Sequence, residues 1–161
     1  MDALDRFARY AIAFEQALVT GDWASVAEHF TEDAVYETFG HGILAGCAEG
    51  RRGVTERLRR SVDTLDRRFD ERLPEILEGP SEREGGVWMR FALRLTRAGL
   101  PDLRITGDHT AYFHGGRICR IEEYVPTPVG KAVDAYLAAH DAALKPRVAG
   151  VPTVPLVRLA V

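Results

Sequence analysis

Apolar residues recur at helical spacing near the start of the chain. Leu4, Phe7, Ala11, Phe14 and Leu18 follow one another at alternating steps of three and four, which predicts an amphipathic helix. Gly21 ends it, and Asp22 can cap a second helix in which Trp23, Val26, Ala27 and Phe30 share a face. A third helix is predicted over 51–66, with Val54, Leu58, Val62 and Leu65 inward. Thr127-Pro128 reads as an N-cap followed by proline at the first helical position. The helix after it carries Val129, Val133, Tyr136, Leu137, His140 and Leu144 on one side, and Lys145-Pro146 ends it.

Elsewhere the period changes to two. A short strand is predicted over 34–38, and four more over 68–77, 87–96, 103–114 and 117–125. The second of these four is the clearest: Val87, Met89, Phe91, Leu93 and Leu95 alternate with Trp88, Arg90, Ala92, Arg94 and Thr96. Residues 39–50 are glycine-rich and read as a loop. Helices first and an antiparallel meander afterwards make an α+β pattern. A strongly curved sheet of this size, with helices across its concave side, leaves an apolar pocket with few polar groups, the general form of a small-molecule site. A single domain is expected over 1–146. The apolar tail 147–161, interrupted by Pro152 and Pro155, is expected to dock in extended form on the domain or on a partner copy.

The last two strands meet at Gly115-Gly116, a pair suited to a two-residue hairpin turn. That turn sets Asp108 opposite Glu123, and His109 opposite Glu122 on the other face. Opposed carboxylates repel unless one keeps a proton, and burial strengthens that tendency, which is one route to a general acid or base near neutral pH. The alternative is a solvated hairpin whose carboxylates stay wet, and a one-residue change of register would destroy the pairing. The His109–Glu122 pair lies on the convex side in this register, suited to a structural ion pair at an interface.

Composition narrows the function classes. Hydrophobic residues make up 46% and charged residues 28% of 161, and the net charge of −3 gives no electrostatic reason to bind nucleic acid or an anionic membrane. Arg51, Arg52, Arg57, Arg59 and Arg60 are interleaved with Glu56, Asp63 and Asp66, as on a solvated helix face. Cys47 and Cys119 lack ligand or disulfide spacing and fit a reducing, cytoplasmic setting. The acidic N-terminal residues do not read as a signal peptide, and no apolar run is long enough to cross a bilayer. The five histidines show no ligand spacing and there is no dinucleotide or phosphate-loop fingerprint, so neither metal nor cofactor is expected. His41, in the glycine-rich loop, is either a lid residue or simply solvated.

The run AFEQALVTGDWASVAEHFTEDAVYE, followed by GRRGVTERLRR and GGRICRIEEY, resembles the nuclear transport factor 2-like superfamily, in its SnoaL-like and ketosteroid isomerase-like branches, over about residues 5–126. The resemblance implies a cone built from a bent sheet and three helices, commonly dimeric through the sheet. An interface on the outer strand face would carry Trp88, Arg90, Arg94, His109 and Glu122. Steroid isomerases of this kind carry a tyrosine in the first helix, an aspartate base late in the first strand and a protonated aspartate. The matching positions here are Phe14, Thr38 and Asp108, so steroid isomerisation by that mechanism is not expected. The last strand of the SnoaL-like cyclases carries an acid/base aspartate, and the phenazine-biosynthesis A/B proteins a glutamate, which matches Glu123. The implied cavity face is Asp108, Thr110, Tyr112, Cys119, Ile121, Glu123 and Val125.

These readings point to a cofactor-free enzyme moving protons on a small hydrophobic molecule, as in isomerisation, dehydration or cyclisation. Glu123 is the expected acid/base, with Asp108 tuning it or donating to an oxyanion. Phe14, Tyr36, Thr38, Met89, Phe91, Leu93, Thr110, Tyr112 and Ile121 are the expected substrate-binding residues. The alternatives are a binding protein or a dimerisation module of the same fold. Burial of Asp108 and Glu123 together in a cavity favours the enzyme, and a solid interior favours the module.

Overall fold

The computed structural model describes residues 1–146. The expected docking of the tail concerns 147–161 and lies outside them. Helix α1 (Ala3–Thr20) begins with Asp2 accepting a hydrogen bond from the Asp5 amide and ends at Gly21, whose φ of 75° is the left-handed cap glycine adopts without strain. Asp22 caps α2 (Trp23–Ala27). Strand β1 (Phe30–Phe39) begins earlier than expected, since Phe30 leaves the helix and buries itself fully at the strand's start. Within the segment expected as a loop lies β2 (Gly46–Glu49), paired antiparallel to β1. Helix α3 (Gly50–Thr64) then leads to a meander of β3 (Glu71–Arg83), β4 (Gly86–Thr96), β5 (Leu103–His114) and β6 (Arg117–Tyr124). Helix α4 (Thr127–His140) closes the described chain. Thr127 is its first residue rather than its cap, and no side chain caps it.

The strands form one sheet in the order β2-β1-β6-β5-β4-β3, antiparallel except where β1 runs parallel to β6. The architecture is α+β, as the patterning predicts. Two apolar clusters hold it. One gathers Phe7, Tyr10, Val26, Phe30, Val54, Ile118 and Ile121 between α1, α2, α3 and the sheet. The other gathers Leu65, Phe69, Leu95, Leu103, Ile105, Val133, Leu137 and Leu144 between α4 and the far ends of the strands. Each fully buried side chain of this size contributes about 1.5–3 kcal/mol. Arg68 ties the second cluster to the end of the helix by donating to the carbonyls of Lys145 and Asp141, at 2.9 and 3.0 Å. Among the described residues, no helix is long and apolar enough to cross a membrane.

Candidate active site

The two glycines do form the turn between β5 and β6, with φ of 56° at Gly115 and 80° at Gly116. Next to it the register is the expected one, with His114 opposite Arg117 and Phe113 opposite Ile118. It then shifts by one, because Tyr112 pairs with Arg120 and leaves Cys119 as an extra residue on β6. This is a β-bulge. Beyond it His109 faces Glu123, Thr110 faces Glu122 and Asp108 faces Tyr124.

One extra residue therefore exchanges the partners. Glu123 is on the concave face as expected, but the residue opposite it is His109. Asp108 lies on the outer face, where Arg90 Nε donates to it at 2.8 Å. It is not part of a coupled carboxylate pair. Thr110 and Tyr112 follow it to the outer face, between β4 and β6 partners Trp88, Gly86, Glu122 and Arg120. His109 is correspondingly absent from the outer face, where an interface ion pair with Glu122 was expected. Ile121 points inward but is fully buried in the first core cluster, behind the cavity wall.

Between the concave face and the helices is a cavity of about 770 Å³. Phe14 from α1, Tyr36 and Thr38 from β1, and Met89, Phe91 and Leu93 from β4 all line it, as do His109 and Glu123. The carboxylate of Glu123 is held at both oxygens. Tyr36 donates its hydroxyl to Oε2 at 2.6 Å, and His109 Nδ1 lies 3.5 Å from Oε1. The His109 side chain is 7% exposed and that of Glu123 19%, and both line the cavity. Burial works against ionisation of Glu123, but His109, Tyr36 and the nearby Arg57 outweigh it and hold the carboxyl below its ordinary value. Burial and the neighbouring carboxylate push the Tyr36 hydroxyl well up, so it remains a donor.

Three further groups of the wall were not among the expected site residues. Arg57 of α3 donates to Thr38 Oγ1 at 3.2 Å and sits 5.7 Å over the Tyr36 ring. Its place three residues after Val54 flanks the apolar stripe of the helix, a signal outweighed by the charges around it. Tyr10 lies between Phe7 and Phe14 on the buried stripe of α1, and burial followed by Glu123 raises its hydroxyl pKa. Glu15, Arg72 and Asp66 form a buried chain of ion pairs, 2.8 and 2.7 Å long, in another part of the wall. Burial raises both carboxyls there, against the pull of Arg72. Loop residues Ile43 and Leu44 complete the cavity beside His41. The Ile43 amide donates to Asp134 of α4 at 3.0 Å, and His41 lies 3.8 Å from the same carboxylate.

The chain has the nuclear transport factor 2-like fold. An isomerase candidate from Rhodopseudomonas palustris superposes with a TM-score of 0.64 at 15% identity, over 81% of this chain and 96% of that one. A nuclear transport factor 2-like protein from Anabaena variabilis gives 0.59 at 20% identity, over 76% and 88%. An epoxide hydrolase of M. tuberculosis gives 0.55 at 20% identity, over 84% and 94%. The fold thus includes enzymes of different reaction classes. No protein-family model matches the chain, and no curated protein does.

Proposed function

We propose that this protein is an acid/base catalyst that moves a proton on a small hydrophobic molecule held in the cavity, with Glu123 as the group that takes and returns it. The observation that carries the reading is the state of Glu123. It is a carboxylate in the wall of an apolar cavity, charged at neutral pH, with Tyr36 and His109 holding its two oxygens. A purely structural carboxylate has no need of a cavity this large beside it. The enzymes among the structural neighbours support the class of activity.

Glu123 rests ionised and accepts a proton from the substrate. His109 and Tyr36 aim the carboxylate and share the charge change, which makes them positioning residues. Phe14, Thr38, Met89, Phe91 and Leu93 supply the surface against which an apolar substrate packs. A carboxylate held below its usual pKa is a weak base, so the proton must come from an already acidic position, such as carbon next to a carbonyl. The reaction would be an isomerisation, dehydration or cyclisation through an enol. No cofactor is invoked, and a homodimer formed through the outer sheet face remains part of the proposal. The test is hydrogen–deuterium exchange by NMR across a panel of small enolisable ketones in deuterated buffer. Exchange above the buffer rate is expected, with Glu123→Gln returning it to that rate. A panel with no enhanced exchange, or exchange unaffected by Glu123→Gln, rejects the reading.

A further inference from the structure

Two tyrosines line the cavity, and they differ in what already holds their hydroxyls. Tyr36 donates its hydrogen to Glu123 Oε2 at 2.6 Å. Tyr10, on the buried stripe of α1, has a hydroxyl with no hydrogen-bond partner among the described residues. The residue is 6% exposed. Its ring stands edge-on to Phe30 at 5.4 Å, with the rings of Phe7 and Phe14 at 6.2 and 6.5 Å, so the direction of the hydroxyl is fixed by packing. His109 Nε2 also lacks a partner, but it is sealed inside the protein, whereas the Tyr10 hydroxyl is not sealed and opens on the cavity. Tyr10, Tyr36 and Glu123 lie near enough for their polar ends to act on one another, so the free hydroxyl and the carboxylate border the same part of the cavity.

What Tyr10 lacks is an acceptor, and a buried donor without one is unusual in a folded protein. Glu123 does not serve, since its oxygens are engaged by Tyr36 and His109. Burial, and after it the negative charges of Glu123 and Glu15, push the Tyr10 hydroxyl up, so it keeps its proton and remains a donor. An anionic oxygen at the same place would lose its hydration and meet the same two negative charges, so the acceptor that fits is neutral. A ketone oxygen accepts without donating, and therefore asks for no further acceptor in a wall whose carboxylate is already engaged. We propose that the Tyr10 hydroxyl anchors the ligand by one neutral oxygen, and that the cavity takes an apolar ketone, its carbonyl oxygen at Tyr10 and its hydrocarbon against Phe14, Met89 and Phe91. That this carbonyl belongs to the molecule from which Glu123 takes a proton rests on the proton-transfer reading, but the anchoring itself does not.

Binding tests the anchor without turnover. The probes are 2-acetonaphthone, the hydrocarbon of the same shape 2-isopropenylnaphthalene, and the anion 2-naphthoate, each titrated into the whole protein at neutral pH. Tyr10→Phe removes the hydroxyl and keeps the ring. It should weaken acetonaphthone by about fivefold and leave isopropenylnaphthalene within about twofold. The wild type should hold acetonaphthone more tightly than naphthoate. Isotope-edited infrared spectra should place the bound carbonyl stretch below its position in hydrocarbon solvent, and Tyr10→Phe should move it back toward that position. The wild-type spectrum stands by itself if the variant folds poorly. Equal losses for the two neutral probes, no loss for the ketone, tighter binding of naphthoate, a wild-type stretch at the hydrocarbon position, or binding of no probe at millimolar concentration overturns the anchor. Anchoring by Tyr10 without deuterium exchange into the methyl group of the ketone would keep the anchor and retire the proton-transfer reading. Exchange that depends on Glu123 but not on Tyr10, with no shift of the carbonyl stretch, would do the reverse.

Discussion

The two faces of the β5–β6 ribbon are a few ångströms apart and carry similar residues, yet their charges live in different physical regimes. Outside, Asp108 pairs with Arg90, and Arg120 bridges Glu37 and Glu122 at 2.7 Å each. Those pairs are partly exposed, so water and salt screen them and they contribute little to stability. Inside, Glu123 has a tyrosine, a histidine and, at longer range, an arginine arranged around it in a cavity. There the same kind of charge is desolvated, and its neighbours decide its protonation state. A carboxylate thus takes its chemical character from the face it occupies, and on this ribbon the bulge at Cys119 decides which carboxylate gets which face.

The largest difference between the faces should appear in turnover. Glu123→Gln keeps the shape of the side chain but removes the proposed base, and should lower kcat/KM for an exchanging substrate by about 10²- to 10⁴-fold. Asp108→Asn should leave it unchanged. Equal losses in the two variants would erase the distinction.

Stability separates the faces next. Ile121→Ala opens a hole in the first core cluster and should cost about 2–5 kcal/mol in denaturant unfolding, against about 0.5 kcal/mol or less for Thr110→Ala on the outer side. Comparable values would mean that the concave face is not the packed one.

Smaller effects follow from the titration of Glu123. Its folded-state pKa is depressed, so its ionised form contributes stability above the ordinary glutamate value of 4.5, and that contribution is lost as the pH falls through the lower folded value. The stability deficit of Glu123→Gln relative to wild type should therefore be widest at neutral pH and shrink on acidification. A deficit that grows with acid would reverse the sign of the shift. Tyr36→Phe removes a hydrogen bond that favours the carboxylate, so the acid limb of kcat/KM should move upward in pH, with about a tenfold loss at neutral pH. An unmoved limb would show that Tyr36 does not set the charge of Glu123.

Much of this was legible in the chain. The caps at Asp22 and Gly21, the boundaries of β5 and the turn at Gly115-Gly116 rest on local chemistry, and local chemistry decides them. The inward position of His109 was also legible. Leu103, Ile105 and Ala111 occupy the same parity as His109, while Arg104, Thr106, Asp108 and Thr110 occupy the other, and the structure buries the first set. Reading the hairpin from its turn alone lost that signal. The spacing of Ile118 and Ile121 carried a second one. Two buried isoleucines three apart cannot share a face of a regular strand, so an extra residue must lie between them.

Other features depended on contacts between distant segments. Strand β2 lies in glycine-rich sequence with no strand pattern of its own and exists because β1 offers it an edge. Arg57, one of several arginines on a charged helix, is singled out only because α3 sets it over Tyr36 and Thr38 beside the cavity. Periodicity comes from the backbone and is written into each segment, so helices, strands and inward faces can be read residue by residue. Partnership across a cavity depends on a one-residue register and on how separate elements pack. Sequence by itself therefore determined that this chain folds as helices over a curved sheet with Glu123 facing inward, and the tertiary structure alone decided that His109, Tyr36 and Arg57 would be the groups around it.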